Sequence, residues 1–310
     1  MAVADGPARR GHATLAATLA EVDRLDLATR LTLILFLVSD WVVSSDWAFS
    51  LPLRILGLVG LLVPPWNRRL GLWLPVLACM TAKTVANWWT QDNHHFLLTY
   101  WCLAVCLALP LPDDERDPIL ARSAKLLLGL SFLFAALWKG VLSPDFLDGA
   151  YFHYTFLTDD RFADMAAIIG QVPDAAIAHN RAELGRLYGT ADATAVTLQS
   201  TPLLRTTTRL VTWWTQAIET ALAVTFLWPG RGGLARLRNW VLLVFAWTTY
   251  PTVPNVGVSF GWTLMILGTA GTDPDDRLAR VLYAATCAVL MVYHFTPFVA
   301  GLRVLTPWAP

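Results

Sequence analysis

Leu137-Trp138-Lys139-Gly140-Val141-Leu142-Ser143-Pro144-Asp145-Phe146-Leu147-Asp148-Gly149 closes a long apolar run with a lysine and then a Pro/Asp/Gly turn. The run begins near residue 119, so it meets the ~20 residues that a helix needs to cross a bilayer. Eight more apolar runs flank it, at 31–46, 51–64, 70–89, 95–111, 206–228, 236–253, 256–271 and 281–304. Several are shorter than a full crossing, so broken or tilted helices are expected. Composition agrees with this reading. The chain is 55% hydrophobic and 15% charged, with 15 tryptophans and a mean hydropathy of +0.49, against about 25% charged residues in an ordinary soluble domain. The expected fold is all-α, a polytopic helical membrane bundle of about nine spans. Eight remain possible if Pro251 and Pro254 mark a re-entrant break between 236–253 and 256–271.

The formal net charge is zero, so no overall basic field recruits nucleic acid, which is not expected as a partner. Cys79, Cys102, Cys106 and Cys287 all lie in apolar runs without zinc or disulfide spacing, and Cys102 and Cys106 read as packing residues on one helix face. The first apolar run lacks a small-residue cleavage site, so it is expected to stay as an anchor.

Lysine and arginine alternate between connections. Arg9, Arg10, Arg24 and Arg30 precede the first run, and Arg68 and Arg69 follow the second. Arg116, Arg122 and Lys125 follow the fourth, Arg231, Arg236 and Arg238 the sixth, and Arg277 and Arg280 the eighth. The connections 47–50, 90–94 and 254–255 carry none, which puts the N-terminus on the cytoplasmic side. Residues 1–30 read as a cytoplasmic N-terminal segment. Within it, Leu15, Leu19, Val22 and Leu25 recur at helical spacing among charges, as on an amphipathic surface helix. Residues 31–310 read as one transmembrane domain. Its long acidic connection 143–205 opens on Tyr151-Phe152-His153-Tyr154 and is expected to be an ordered extracytoplasmic cap.

Polar residues inside apolar runs are costly and therefore informative. Lys83, Asn87 and Gln91 share one helix face, as do Thr212, Gln216 and Glu219. Lys83 and Glu219 read as a structural intramembrane pair, the alternative being a proton or ligand pathway. Asn93, His94 and His95 stand beside Trp89 at a turn on the outer side, either as a solvated helix end or as a site. Lys139 either snorkels to the headgroups or is a buried amine able to act as a base. By the topology His94, Lys139, Asp145, His153, Tyr250 and Asn255 face the same side. His294, deeper in the last run, reads as a hydrogen-bonded core residue. Six histidines without a His-x-x-x-His box give no metal expectation.

These stretches carry a family resemblance. Thr90-Gln91-Asp92-Asn93-His94-His95-Phe96-Leu97-Leu98 resembles the Asn-His-x-Tyr-Leu turn of the vitamin K-dependent gamma-glutamyl carboxylases and their bacterial relatives, the HTTM family. Phe132 to Lys139, continued by Ser143 to Gly149, is similar to that family's apolar helix, lysine and Trp-x-x-Gly exit. Gly257-Val258-Ser259-Phe260-Gly261-Trp262-Thr263-Leu264-Met265 is similar to its late Gly-x-x-Phe helix. The family's Phe-His reads Phe245-Ala246 here, and the exit tryptophan is Phe146.

The resemblance implies Lys139 as the base that deprotonates a reduced naphthoquinone such as menaquinol, with His94 assisting. Around them, Asn93, His95, Trp89, Asp145, His153, Tyr250 and Asn255 are expected to bind the quinone or substrate. It implies oxygen and carbon dioxide as co-reactants, epoxidation of the quinol, and carboxylation of an unknown, possibly peptide, substrate. It also implies a cell (inner) membrane location with the site facing outward. The alternative is a non-catalytic binding or accessory protein of the same fold, handling a lipid, a peptide or an immunity partner.

Overall fold

The computed structural model describes residues 23–38, 47–189, 195–230, 232–252 and 257–295. These residues form thirteen α-helices joined by short 3₁₀ and π turns, and no strand is present among them. The chain is therefore all-α. Nine helical stretches occupy the nine apolar runs. They are α1 (Arg24–Val38), α2 (Trp47–Leu62), α3 (Leu70–Ala86), α4 (Asn93–Ala108) and α5 (Asp113–Leu137, prolonged by a π turn Trp138–Leu142). After the connection come α10 (Pro202–Leu227), α11 (Gly233–Thr249), α12 (Trp262–Gly271, preceded by a π turn Gly257–Gly261) and α13 (Arg277–Phe295). The connection itself folds as α6 (Pro144–Leu147), α7 (Ala150–Thr158), α8 (Ala163–Gly170) and α9 (Asp174–Gly189).

Among the described residues one helix, Asp113–Leu142, is long and apolar enough to cross a membrane by itself. Trp47–Leu62, Leu70–Ala86 and Gly257–Gly271 are apolar but shorter. The helix expected to end near residue 30 runs instead from Arg24 through to Val38, because Leu25, Leu27 and Ala28 are buried on the same face as Leu31 and Leu35. Residues before 23, and with them Leu15, Leu19 and Val22, lie outside the described residues.

α12 is the hub. All ten of its residues are buried, as expected of a helix that is apolar on every side, and it packs against α1, α4, α5 and α13. α5 runs along α10, α2 lies between α1 and α3, and α11 rests on α10. The outer helices reverse the usual pattern of a soluble bundle. α2 exposes Leu51, Ile55, Leu58 and Leu62; α5 exposes Leu126, Leu130, Phe134, Leu137 and Val141; α11 exposes Leu237, Trp240, Val244 and Trp247. Each set recurs every three or four residues, a continuous stripe along one helix face.

Polar residues gather at the two ends. At one end Asp273 accepts from Lys125 at 3.0 Å and Arg238 at 2.6 Å, Arg24 donates to the Thr272 carbonyl, and Arg68 pairs with Asp23. The basic connections that alternate along the sequence thus meet in space. At the other end the segment 143–205 has its own small core of Phe156, Leu157, Ala166, Val172 and Ile177, sealed by Leu204 at the start of α10. Arg161 in this segment lies within electrostatic range of Asp92, so the segment sits over the α3–α4 turn.

Candidate functional site

The buried polar residues converge where α5, α10 and α11 meet below that cap. Glu219 is only 5% exposed and sits on the inward face of α10 because Leu222 and Phe226 continue that face into the core. Its Oε1 accepts a hydrogen bond from Lys139 Nζ, and the two form an ion pair. The expected partner was Lys83. Helical spacing sets which face of α10 carries Glu219, but α10 packs along α5, whose π turn carries Lys139, and Glu219 pairs there. Lys83, 2% exposed, lies instead within electrostatic range of His94 and His95.

The π turn shapes this corner. A π turn widens the helix by one residue and is frequent at functional positions. Here it coincides with Gly140, where a Cβ would stand 2.8 Å from Gln216 Nε2. That close approach lets Gln216 donate to the Ala136 carbonyl at 3.1 Å, just where the backbone register changes. Lys139 Nζ also stands 5.4 Å from the centre of the Phe146 ring, within cation–π range. Phe146 is the residue that replaces the tryptophan of the resembled motif.

Tyr250 continues the site inward. It is 1% exposed, packs edge-on against Phe245 and Phe260, and lies within electrostatic range of Glu219. Phe260 in turn lies 6.1 Å from the His94 ring, which is 4.2 Å from that of His95. Lys139, Glu219, Tyr250, Phe260, His94 and His95 therefore form a row from the α5–α10 seam to the start of α4. Lys139, which touches Glu219 and Phe146, stands at one end and the His94–His95 pair at the other.

Around Glu219, three buried atoms have no hydrogen-bond partner: its own Oε2, Oε1 of Gln216 beside it on α10, and the Tyr250 hydroxyl. Buried polar atoms are nearly always bonded, and each one left open costs about 1–3 kcal/mol. Two acceptors and one hydroxyl left open together are suited to a polar ligand group.

The other expected residues are placed differently. Trp89 is 94% exposed, and Asn93 and Asp145 are exposed as well, so these three lie outside the buried row. Sharing an end of the bundle does not turn their side chains inward. His153 is half-buried in α7, where burial and then the Arg205 charge hold its pKa below the ordinary histidine value. Nearby, the hydrogen bond from Arg161 holds the Asp159 carboxyl below its usual value. Asn255 and the side chain of His294 lie outside the described residues. Asp92, His94 and His95 offer donor atoms within 4.8 Å of one another. Lys83 and the N-terminus of α4 add positive potential there, which opposes a dication.

The chain matches no family model, no curated protein and no solved structure. Its site is accordingly read from its own geometry. Two residues of this site escaped the spacing argument, Phe260 in the row and Phe146 beside Lys139. Both stand inside the resembled motifs, but aromatic residues in apolar runs carry no polar signal. Gln216 had one, three residues before Glu219 on the same face.

Proposed function

We propose that this chain is a polytopic membrane protein with its N-terminus cytoplasmic and its cap outward, and that the Lys139–Glu219 pair handles a proton for a hydroxyl-bearing ring of the reduced naphthoquinone type. The membrane part is supported by the apolar stripes on α2, α5 and α11, which water would penalise and lipid tails would not. Meeting of the basic connections at one end supports the orientation.

One observation carries the chemistry: buried Glu219 gives one oxygen to Lys139 and leaves the other open near an open Tyr250 hydroxyl. A ring hydroxyl fits both, donating to Glu219 Oε2 and accepting from Tyr250. Phe146, Phe245 and Phe260 offer flat apolar walls for the ring. When bound, such a quinol would supply the reducing power for activating oxygen, as in the carboxylases that the sequence resembles. Glu219 receives the hydroxyl proton at Oε2. Lys139, still charged, then balances the negative charge left beside it. Glu219 is thus the group in contact with the proton, and Lys139 sets its charge; the resemblance puts the base on Lys139 itself.

The test follows oxidation of a reduced naphthoquinone by purified protein in detergent. Lys139→Ala and Glu219→Gln are each expected to lower the rate by about 10²-fold or more with unchanged circular dichroism. Full turnover by both variants sinks the proposal. A second reading, a non-catalytic binding protein, is favoured by Ala246, packed 1% exposed where the carboxylases have histidine. It predicts quinone retained through purification and no turnover by the unaltered chain.

A further inference from the structure

We infer that the groove between α5 and α10 holds the apolar tail of the ligand whose hydroxyl head reaches Glu219; this rests on the quinol reading above. The groove has a volume of about 620 Å³, within the range of small-molecule sites. Its floor is made by Ala136, Gly140 and Ala223, small residues where larger ones would close the seam, and its walls by Leu133 and Leu227. Gln216 stands at one end and Trp228 at the other. From Gln216 to Leu227 the helix rises roughly 17 Å at ~1.5 Å per residue. The rim residues Leu137, Val141 and Val224 are exposed, so the groove opens sideways onto the medium that bathes the apolar stripes.

The polar end names the occupant. Gln216 Oε1 and, three residues on, Glu219 Oε2 are both acceptors without partners. Gly140 adjoins Lys139 in the chain and closes on Gln216. An amphiphile that fits must bring a hydrogen-bond donor at its head. A phosphate headgroup brings acceptors and negative charge beside a carboxylate, which is unfavourable. A hydroxyl-headed ring on a single apolar chain brings a donor to Glu219 Oε2 and fills the groove below it. The tail would lie at the lipid-facing surface, so such a ligand could arrive from within the bilayer without crossing the cap.

The experiment uses the full chain in lipid nanodiscs with a naphthoquinone whose short isoprenoid tail ends in a diazirine. After illumination, labelled peptides are mapped by mass spectrometry. Labelling is expected to concentrate in 133–141 and 216–229, to be competed by the same quinone without diazirine, and to fall at least tenfold in Thr220→Trp, which fills the groove from an exposed position. Val224→Trp serves as the second variant should the first misfold. Labelling spread over all exposed apolar faces, or unchanged in both variants, overturns the inference. Competition by added phosphatidylcholine but not by quinone assigns the groove to membrane lipid and likewise overturns it. Groove labelling without quinol oxidation leaves the tail site standing and removes the enzymatic reading. Oxidation without groove labelling does the reverse.

Discussion

The two polar ends of this molecule are built on opposite rules. At the basic end Asp273 receives both Lys125 and Arg238, and Tyr283 donates to the Asn239 side chain, which in turn donates to Asp276. Each of these side chains makes at least one hydrogen bond, Arg238 leaving only its Nε open, and Asp273 keeps 56% of its side chain in solvent. Below the cap, Glu219, Tyr250 and Gln216 each leave an acceptor or hydroxyl open. The first arrangement ties loops to helices at little cost. The second retains a cost of about 1–3 kcal/mol per open atom, which a ligand of the kind proposed would offset. The contrast separates polar residues that hold the fold from those that serve it.

Breaking the Lys139–Glu219 pair is the strongest way to test that contrast. Removing one partner of a buried pair leaves an uncompensated charge and costs about 3–5 kcal/mol, whereas replacing both by apolar residues is often neutral. Lys139 retains some access, with 26% of its side chain exposed, so the low end applies. Glu219→Leu and Lys139→Met are each expected to destabilise by about 3 kcal/mol. The double variant is expected to recover most of it, measured by thermal unfolding in detergent. Equal, additive losses would mean that the two side chains do not act as a pair.

That pair also marks where the sequence stops being legible. The nine apolar runs predict nine helices because run length and hydropathy are local properties, and the structure has a helix in each. Glu219 and Gln216 share a face by spacing alone, which periodicity reveals. Which lysine meets Glu219 depends instead on which helix lies against α10, and spacing within one helix holds no information about its neighbour. Lys83 and Lys139 are equivalent by that criterion, and only the packing of α5 on α10 separates them. Trp89, Asn93 and Asp145 are a related case. Topology assigns them the same side as Lys139, but Asn93 and Asp145 face outward on their helices and Trp89 stands exposed in the turn between α3 and α4.

A smaller effect is expected at Gly261, in the π turn before α12. A Cβ there would stand 2.7 Å from Tyr250 Cδ2 and 3.1 Å from Leu290 Cδ1. Tyr250 is walled in by Phe245 and Phe260 and has nowhere to retreat. Gly261→Val is therefore an overpacking change, expected to cost about 2 kcal/mol and to displace the Tyr250 hydroxyl from Glu219. Loss of stability together with quinone retention would show that Tyr250 is not part of the ligand cradle. Loss of both fits the row as described.

The smallest effect belongs to the basic end and sharpens the comparison by its pH dependence. Burial alone would raise the Asp273 carboxyl, but the Lys125 hydrogen bond and the charges of Lys125 and Arg238 outweigh it, and the net shift is downward. A carboxyl lowered in the folded state adds stability that is fully present above the unfolded value, about pH 4, and that is lost as pH falls through the lower folded value. Arg238 is buried, but Asp273 keeps 56% of its side chain in solvent and water can reach its partners once the carboxylate is gone, so Asp273→Asn is expected to cost about 1 kcal/mol at pH 7. The difference from the unaltered chain should shrink toward zero as pH falls below the folded value of Asp273, read from unfolding curves taken downward from pH 7. Added salt should reduce it too, because exposed pairs are screened. A cost of several kcal/mol, insensitive to salt, would mean that this end is as desolvated as the Glu219 corner. The distinction between a tied end and an open one would then fail.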